Sequence, residues 1–242
     1  MAHVVLNHLV IGQGEVGRAL ASVLGTGYAG CVYVRDVEAT EFVPARVDVL
    51  HICYPWHDDF VATTHAYQHT YKPFMTVIHS TVKPGTSDQC GAVYSPVIGQ
   101  HPYLADAMCR VRKVVGTSID DEYELVAAFF AKCGVGTVRF SSALAAELAK
   151  VLCTTQYGLD ILVCKHIAAL CETHGVPFRE VYESWTAIYN NGYADMNLRK
   201  FMRPVLSPMP GPIGGHCVVP NCDLFDDKLT RLVKSWNAEF ST

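Results

Sequence analysis

Over the first 140 residues, short apolar runs alternate with longer amphipathic stretches. The apolar runs are "HLVIG" (His8 to Gly12), "CVYVRD" (Cys31 to Asp36), "DVLHICYP" (Asp48 to Pro55) and "FMTVIHST" (Phe74 to Thr81). Shorter ones follow in "GAVYSP", "RKVVGT" and "GTVRFS". Asp48 to Pro55 is nearly continuous in apolar residues, as befits a strand covered on both faces. "EVGRALASVLG" has apolar residues at helical spacing and stops at Gly25. "IDDEYELVAAFFAKCG" reads as a helix capped by Asp120 or Asp121, with Gly134 past its end. Strands alternating with helices predict a doubly wound, Rossmann-type α/β fold with a parallel sheet.

After Ser141 the pattern changes. Ala143 to His174 is one helical run, closed by Gly175 and Pro177. At 1.5 Å per residue it spans roughly 45 Å. "PFREVYESWTAI" predicts another short helix, and Trp185, Tyr189 and Tyr193 read as packing residues of the helical unit. Asn190 to Asn221, rich in Gly, Pro and Asn, reads as loop. The expected organisation is a dinucleotide-binding domain over 1–140 and a long-helix domain over 141–242. The long helix is the expected seam of a homodimer, because in a monomer its apolar face is left in water.

Half of the 242 residues are hydrophobic and the net charge is -4. No basic stripe supports nucleic-acid binding, and no polybasic or amphipathic anchor supports a membrane surface. The first residues, "MAHVVLNHLVIGQG", lack a basic n-region and read as a strand rather than a signal peptide. The long helix carries Glu147, Lys150, Asp160, Lys165 and His166, too many charges for a membrane span. Ten cysteines occur without a CxxC pair and read as reduced packing residues of a cytoplasmic protein.

The candidate chemistry begins at "IGQGEVG". Gly12, Gln13, Gly14, Glu15, Val16 and Gly17 lie between the first strand and the first helix. Gly12 suits a tight turn, Gly14 lets the backbone approach a pyrophosphate, and Gly17 lets helix and strand pack closely. Asp36 ends the second strand, where a carboxylate binds a ribose 2′-hydroxyl. This favours NAD as cofactor, while Arg35 beside it leaves NADP open. Tyr54, Pro55, Ser80 and Thr81 end the third and fourth apolar runs and are the remaining candidate cofactor contacts. His51, His57, Asp58 and Asp59 resemble a metal cluster but read as solvated loop residues. His216, Cys217 and Cys222 fit no common zinc spacing, so no metal is expected.

Four stretches in order, "LVIGQGEVG", "HSTVKPGT", "AELAK" and "PGPIGGHC", resemble the nucleotide-sugar dehydrogenase family, the UDP-glucose, GDP-mannose and UDP-N-acetylmannosamine dehydrogenases. The resemblance spans about His8 to Asn221. It implies NAD-dependent oxidation of a sugar alcohol, with Cys217 as the nucleophile that captures the aldehyde as a thiohemiacetal. It also implies that Lys150 stabilises an oxyanion and that Thr81 places water or the nicotinamide. The chain departs from the family pattern where the family has Glu (here Val97), Asn (here Thr154) and Asp (here Asn221). His216 is the candidate to serve as acid or base in place of the missing glutamate. The family continues into a second Rossmann-like domain. This sequence stops at Thr242, so the expectation is a chain without that domain. The implied substrate is a small molecule, a sugar or nucleotide sugar. Two other readings stay open: a single-step hydroxyacid-type dehydrogenase, and a non-catalytic NAD-binding or regulatory protein.

Overall fold

The structure is a computed structural model describing residues 6–37, 42–100 and 102–241. Met1 to Val5, the start of the stretch read as an N-terminal strand, lie outside the described residues. The chain divides into two compact units, 1–150 and 151–242.

The first unit holds a seven-stranded sheet: β1 (His8–Ile11), β2 (Val32–Arg35), β3 (Val49–Ile52), β4 (Met75–Ile78), β5 (Val93–Tyr94), β6 (Lys113–Gly116) and β7 (Thr137–Phe140). Their spatial order is β2-β1-β3-β4-β5-β6-β7. All pairings are parallel except β5 with β6, which is antiparallel. The expectation of a wholly parallel sheet is corrected there. β5 is two residues long and pairs with β6 only at Tyr94 and Gly116. β1, β3, β4 and β6 are buried at every position, and their near-continuous apolar runs reflect cover on both faces.

One face packs on α1 (Glu15–Gly27), α4 (Leu104–Arg110) and α5 (Asp120–Lys132), with Leu20, Leu24, Met108, Phe129 and Phe130 in the core. The other packs on α2 (Phe60–Tyr71) and the start of α6 (Ala143–His174), through Phe60, Tyr71, Ala143 and Ala146. A four-residue helix, α3 (Thr86–Gln89), follows β4.

α1 does not stop at Gly25 but runs to Gly27, because one mid-helix glycine costs only about 1 kcal/mol and the last turn packs closely after α5, where a Cβ on Gly27 would lie 2.8 Å from Cys133 Sγ. In α5, Asp120 and Asp121 lie inside the first turn, and Ile119 is the cap residue, without a side-chain bond. Thr117 Oγ1 instead accepts from Ile119 N at 3.1 Å.

The second unit comprises the rest of α6, α7 (Trp185–Asp195), α8 (Val218–Cys222) and α9 (Lys228–Ala238). A π-helical stretch, Arg179–Ser184, precedes α7, and a 3-10 turn at Arg199–Phe201 follows it. The segment read as loop therefore contains helix at both ends. Leu162, Val218, Cys222 and Val233 form a small core. Gly158 makes room for it, since a Cβ there would lie 2.6 Å from a Val218 methyl. Trp185 is largely exposed, which corrects its reading as a packing residue. α9 is started by a capping box between Asp227 and Thr230. Among the described residues no helix is long and apolar enough to cross a membrane.

Candidate functional site

In a doubly wound sheet, ligands bind beyond the carboxyl ends of the strands where the strand order reverses. Here the chain leaves β1 for β2 on one side and returns to β3 on the other, so the reversal lies between β1 and β3. The glycine loop follows β1, and Cys53-Tyr54-Pro55 follows β3.

Gly12 has φ +99°, and a Cβ there would lie 2.7 Å from Tyr54 N. The two loops thus touch backbone to backbone. A Cβ on Gly17 would lie 1.7 Å from Gly12 O, whereas one on Gly14 would meet nothing within 4 Å. Gly12 and Gly17 are therefore required by packing, while Gly14 faces open space. Glu15 and Val16 begin α1, and Gly14 caps it without a side-chain bond.

Asp36 is fixed at the end of β2. Its Oδ2 accepts Gln13 N at 2.6 Å and its Oδ1 accepts Val37 N at 2.8 Å. Each oxygen retains a lone pair for a hydroxyl. Arg35 Nη1 donates to Tyr71 Oη at 2.5 Å. Tyr54 Oη bonds Thr64 Oγ1 at 2.7 Å, and Ser80 Oγ donates to Tyr54 O at 2.6 Å, linking the segments after β3 and β4. Pro55 is exposed and Thr81 half-buried beside them. The geometry thus brings together the glycine loop, Asp36, Tyr54 and Ser80.

Lys150 closes the first unit, and its Nζ donates to Val97 O at 2.9 Å. Val97 is buried and carries no group able to move a proton. One turn earlier, Glu147 is fully buried and accepts Gly85 N at 2.5 Å and Ser87 N at 2.8 Å. This carboxylate ties α6 to the "VKPGT" turn, a role the sequence signals only as one acid within an apolar helix.

Lys113 is a second residue that sequence reasoning missed. It is 3% exposed, and burial lowers its pKa to about 7. His8, His51 and His79 form a third such feature. His51 was read as solvated but is fully buried within β3, because its side chain lies on the face that α5 covers. His57, Asp58 and Asp59 are exposed, as expected of a loop. His8 Nδ1 lies 2.9 Å from His51 Nε2, His51 Nδ1 lies 2.9 Å from His79 Nε2, and His79 Nδ1 lies 2.7 Å from Ser95 O. A carbonyl only accepts, so His79 carries its proton on Nδ1. His51 and His8 must then do the same, leaving His8 Nε2 a buried lone pair without a partner. Burial holds all three rings neutral, lowering His8 to about 4 and the other two well below the usual imidazole range. Among the described residues no three His, Cys, Asp or Glu side chains converge to hold a metal.

In the second unit, Asn221 Nδ2 donates to Thr154 Oγ1 at 3.4 Å, and Thr154 in turn donates to Val151 O at 2.8 Å. These two departures from the family pattern are therefore neighbours. His216 and Cys217 are exposed; His216 directly follows Gly215, which has φ +81°, and Cys217 is the cap residue before α8. Their loop is anchored upstream. Lys165 Nζ donates to Met209 O and Gly211 O, and Asn237 accepts Ile213 N at 2.6 Å and donates to Ile213 O at 3.4 Å. All ten cysteines are free, and Cys109 and Cys153 are exposed with Cys217, contrary to their reading as packing residues.

No protein-family model matches the sequence, and no curated protein matches it significantly. Solved structures do. UDP-D-ManNAc dehydrogenase from Pyrococcus horikoshii is similar over 96% of this chain and 68% of its own, with a TM-score of 0.75 and 16% identity. UDP-N-acetyl-mannosamine dehydrogenase from Staphylococcus aureus is similar over 97% and 68%, with a TM-score of 0.72 and 15% identity. The 3-hydroxyisobutyrate dehydrogenase of Mycobacterium tuberculosis is similar over 97% of this chain and 93% of its own, with a TM-score of 0.70 and 13% identity. The likeness is one of fold. The chain spans about two thirds of the length of the nucleotide-sugar dehydrogenases and nearly all of the hydroxyacid enzyme's.

Proposed function

We propose that the protein is an NAD-dependent oxidoreductase that removes a hydride from a CH–OH group of a small molecule, a sugar or nucleotide sugar in the first reading. The observation that carries this is the loop pair at the strand-order reversal, with Gly12 against Tyr54 and open space over Gly14. The residues fit the cofactor. The N–H groups opening α1 suit a pyrophosphate, and the carboxylate of Asp36 suits a ribose diol and repels a 2′-phosphate, which favours NAD over NADP. When bound, NAD supplies the hydride acceptor. Tyr54, Pro55, Ser80 and Thr81 flank the reversal and would contact its nicotinamide half.

Lys150 is given the role of stabilising negative charge on the substrate oxygen, as an ammonium does for an alkoxide. Cys217, exposed and preceded by an anchored loop, is given the role of capturing a carbonyl as a thiohemiacetal. Thr154 and Asn221 form a polar pair that orients without moving a proton, and His216 is the candidate acid or base. Pairing of two copies through α6 belongs to the same reading. Leu144, Tyr157, Val163 and Leu170 are exposed on that helix, and light scattering of the purified chain tests it.

A second reading is a single-step hydroxyacid-type dehydrogenase. It is favoured by the 93% coverage of the hydroxyisobutyrate enzyme.

Calorimetric titration of NAD into wild type and Asp36→Ala tests the common premise. The expected result is binding that weakens at least about tenfold in the variant. Absence of NAD binding to wild type overturns both readings. With a turned-over substrate, two NADH per molecule, falling to one or none in Cys217→Ser, supports the first reading. One NADH, unchanged in that variant, supports the second.

A further inference from the structure

The segment after β5 presents three consecutive carbonyls to two lysines. Lys113 Nζ donates to Ser95 O at 2.8 Å and to Pro96 O at 3.1 Å, and Lys150 Nζ donates to Val97 O at 2.9 Å. The same Ser95 O accepts His79 Nδ1 at 2.7 Å, so both of its lone pairs are used. Ser95 is further fixed by N–H to Ile78 O at 2.8 Å and by Oγ to Val114 O at 2.7 Å. Pro96 and Val97 are held less tightly, and the Lys113 contact lies between the fixed serine and the carbonyl that seats Lys150.

We propose that Lys113 is a positioning residue for Lys150: by gripping Ser95 O and Pro96 O it fixes the carbonyl against which the Lys150 ammonium is seated. The inference rests on the role given above to Lys150. A buried ammonium bound only by carbonyls is costly, and an apolar side chain would fill the same space more cheaply. The grip itself explains its presence, because charge-assisted bonds to carbonyls are about twice as strong as neutral ones.

The grip is also set by pH. The groups facing Lys113 are His51 of β3 and Cys53 after it, His79 after β4, the Phe130 ring of α5 at 5.4 Å, and Lys150 of α6. Burial is the main cause of its lowered pKa; Cys53 opposes it, and the Lys150 charge adds a smaller lowering. Below about pH 7 the amine is charged and the segment is clamped. Above it the amine is neutral, the bonds weaken, and Lys150 is released from Val97 O.

The test is pulse acetylation of the full chain with an N-hydroxysuccinimide ester between about pH 6 and pH 9. Modification at Lys150 is read by mass spectrometry as a ratio to exposed Lys72. In wild type the ratio should rise several-fold as pH passes through about 7, in step with titration of the Lys113 side chain followed by carbon NMR. In Lys113→Met the ratio should be high and flat. In Lys113→Arg, which stays charged, it should remain low to pH 9. A flat wild-type ratio overturns the proposal, whether or not the methionine variant folds. So does a folded Lys113→Met chain with the wild-type profile. Neither readout uses NAD. A chain that shows the step but binds no cofactor keeps Lys113 as the clamp and removes only the catalytic role of Lys150.

Discussion

Lowering the pH from about 7.5 to about 5 protonates the histidines of an unfolded chain but not those held in the buried chain of imidazoles. The sign follows from the direction of the shifts. His8, His51 and His79 are depressed by burial, so the unfolded state binds more protons, and stability is lost as pH falls through the window below 6.5. For His8, shifted from 6.5 to about 4, the loss by pH 5 is about 2 kcal/mol. His51 and His79 act in the same direction. Against a total stability of about 5–15 kcal/mol this is a large share. The assay is urea unfolding at both pH values for wild type and His8→Leu. The variant should lose about 1 kcal/mol at pH 7.5, because His51 Nε2 loses its donor. Its acid sensitivity should be smaller than that of wild type by about 2 kcal/mol. Carboxylates titrate alike in both chains and cancel. Equal acid sensitivity in the two chains refutes the reasoning. So does an imidazole nitrogen spectrum of the folded chain in which any of the three rings titrates near 6.5 or carries its proton on Nε2.

Gly17→Ala should destabilise the chain by about 3 kcal/mol or more, because its Cβ would overlap Gly12 O and backbone cannot move aside cheaply. Gly14→Ala should leave stability within about 0.5 kcal/mol and reduce NAD affinity at least about tenfold; urea unfolding and NAD titration check the pair, and unaltered affinity removes the pyrophosphate from this loop. Glu147→Gln should cost about 2 kcal/mol, since an amide offers one acceptor oxygen where Gly85 N and Ser87 N need two; thermal unfolding at neutral pH reads the loss.

The parts legible in the sequence are those governed by local geometry. Apolar runs of strand length, the helical period of Ala143 to His174, and the Gly12-Gly14-Gly17 spacing each act through neighbours within a few residues. From them the fold class followed, as did the meeting of the glycine loop with Asp36. The same local signals misplaced the end of α1 and missed α2, α4 and α9. Packing in the first unit outweighs a single glycine such as Gly25 and stabilises α2 and α4, whereas α9 carries a local signal of its own in the Asp227–Thr230 capping box.

The remaining features belong to the sheet order, which no local pattern encodes. A lysine in "RKVVGT", a glutamate in "AELAK" and histidines in three separate runs each read as isolated polar residues in apolar surroundings. Their meaning depends on which strands become neighbours. The order β1-β3-β4-β5-β6 sets His8, His51, His79, Ser95 and Lys113 in a row across one face, where each satisfies the next. The sequence by itself determined the strands, the long helix α6 and the glycine loop. Only the tertiary structure decided that the buried polar groups form one hydrogen-bonded chain ending at the carbonyls beside Lys150, because burial makes each group demand a partner and the strand order alone supplies it.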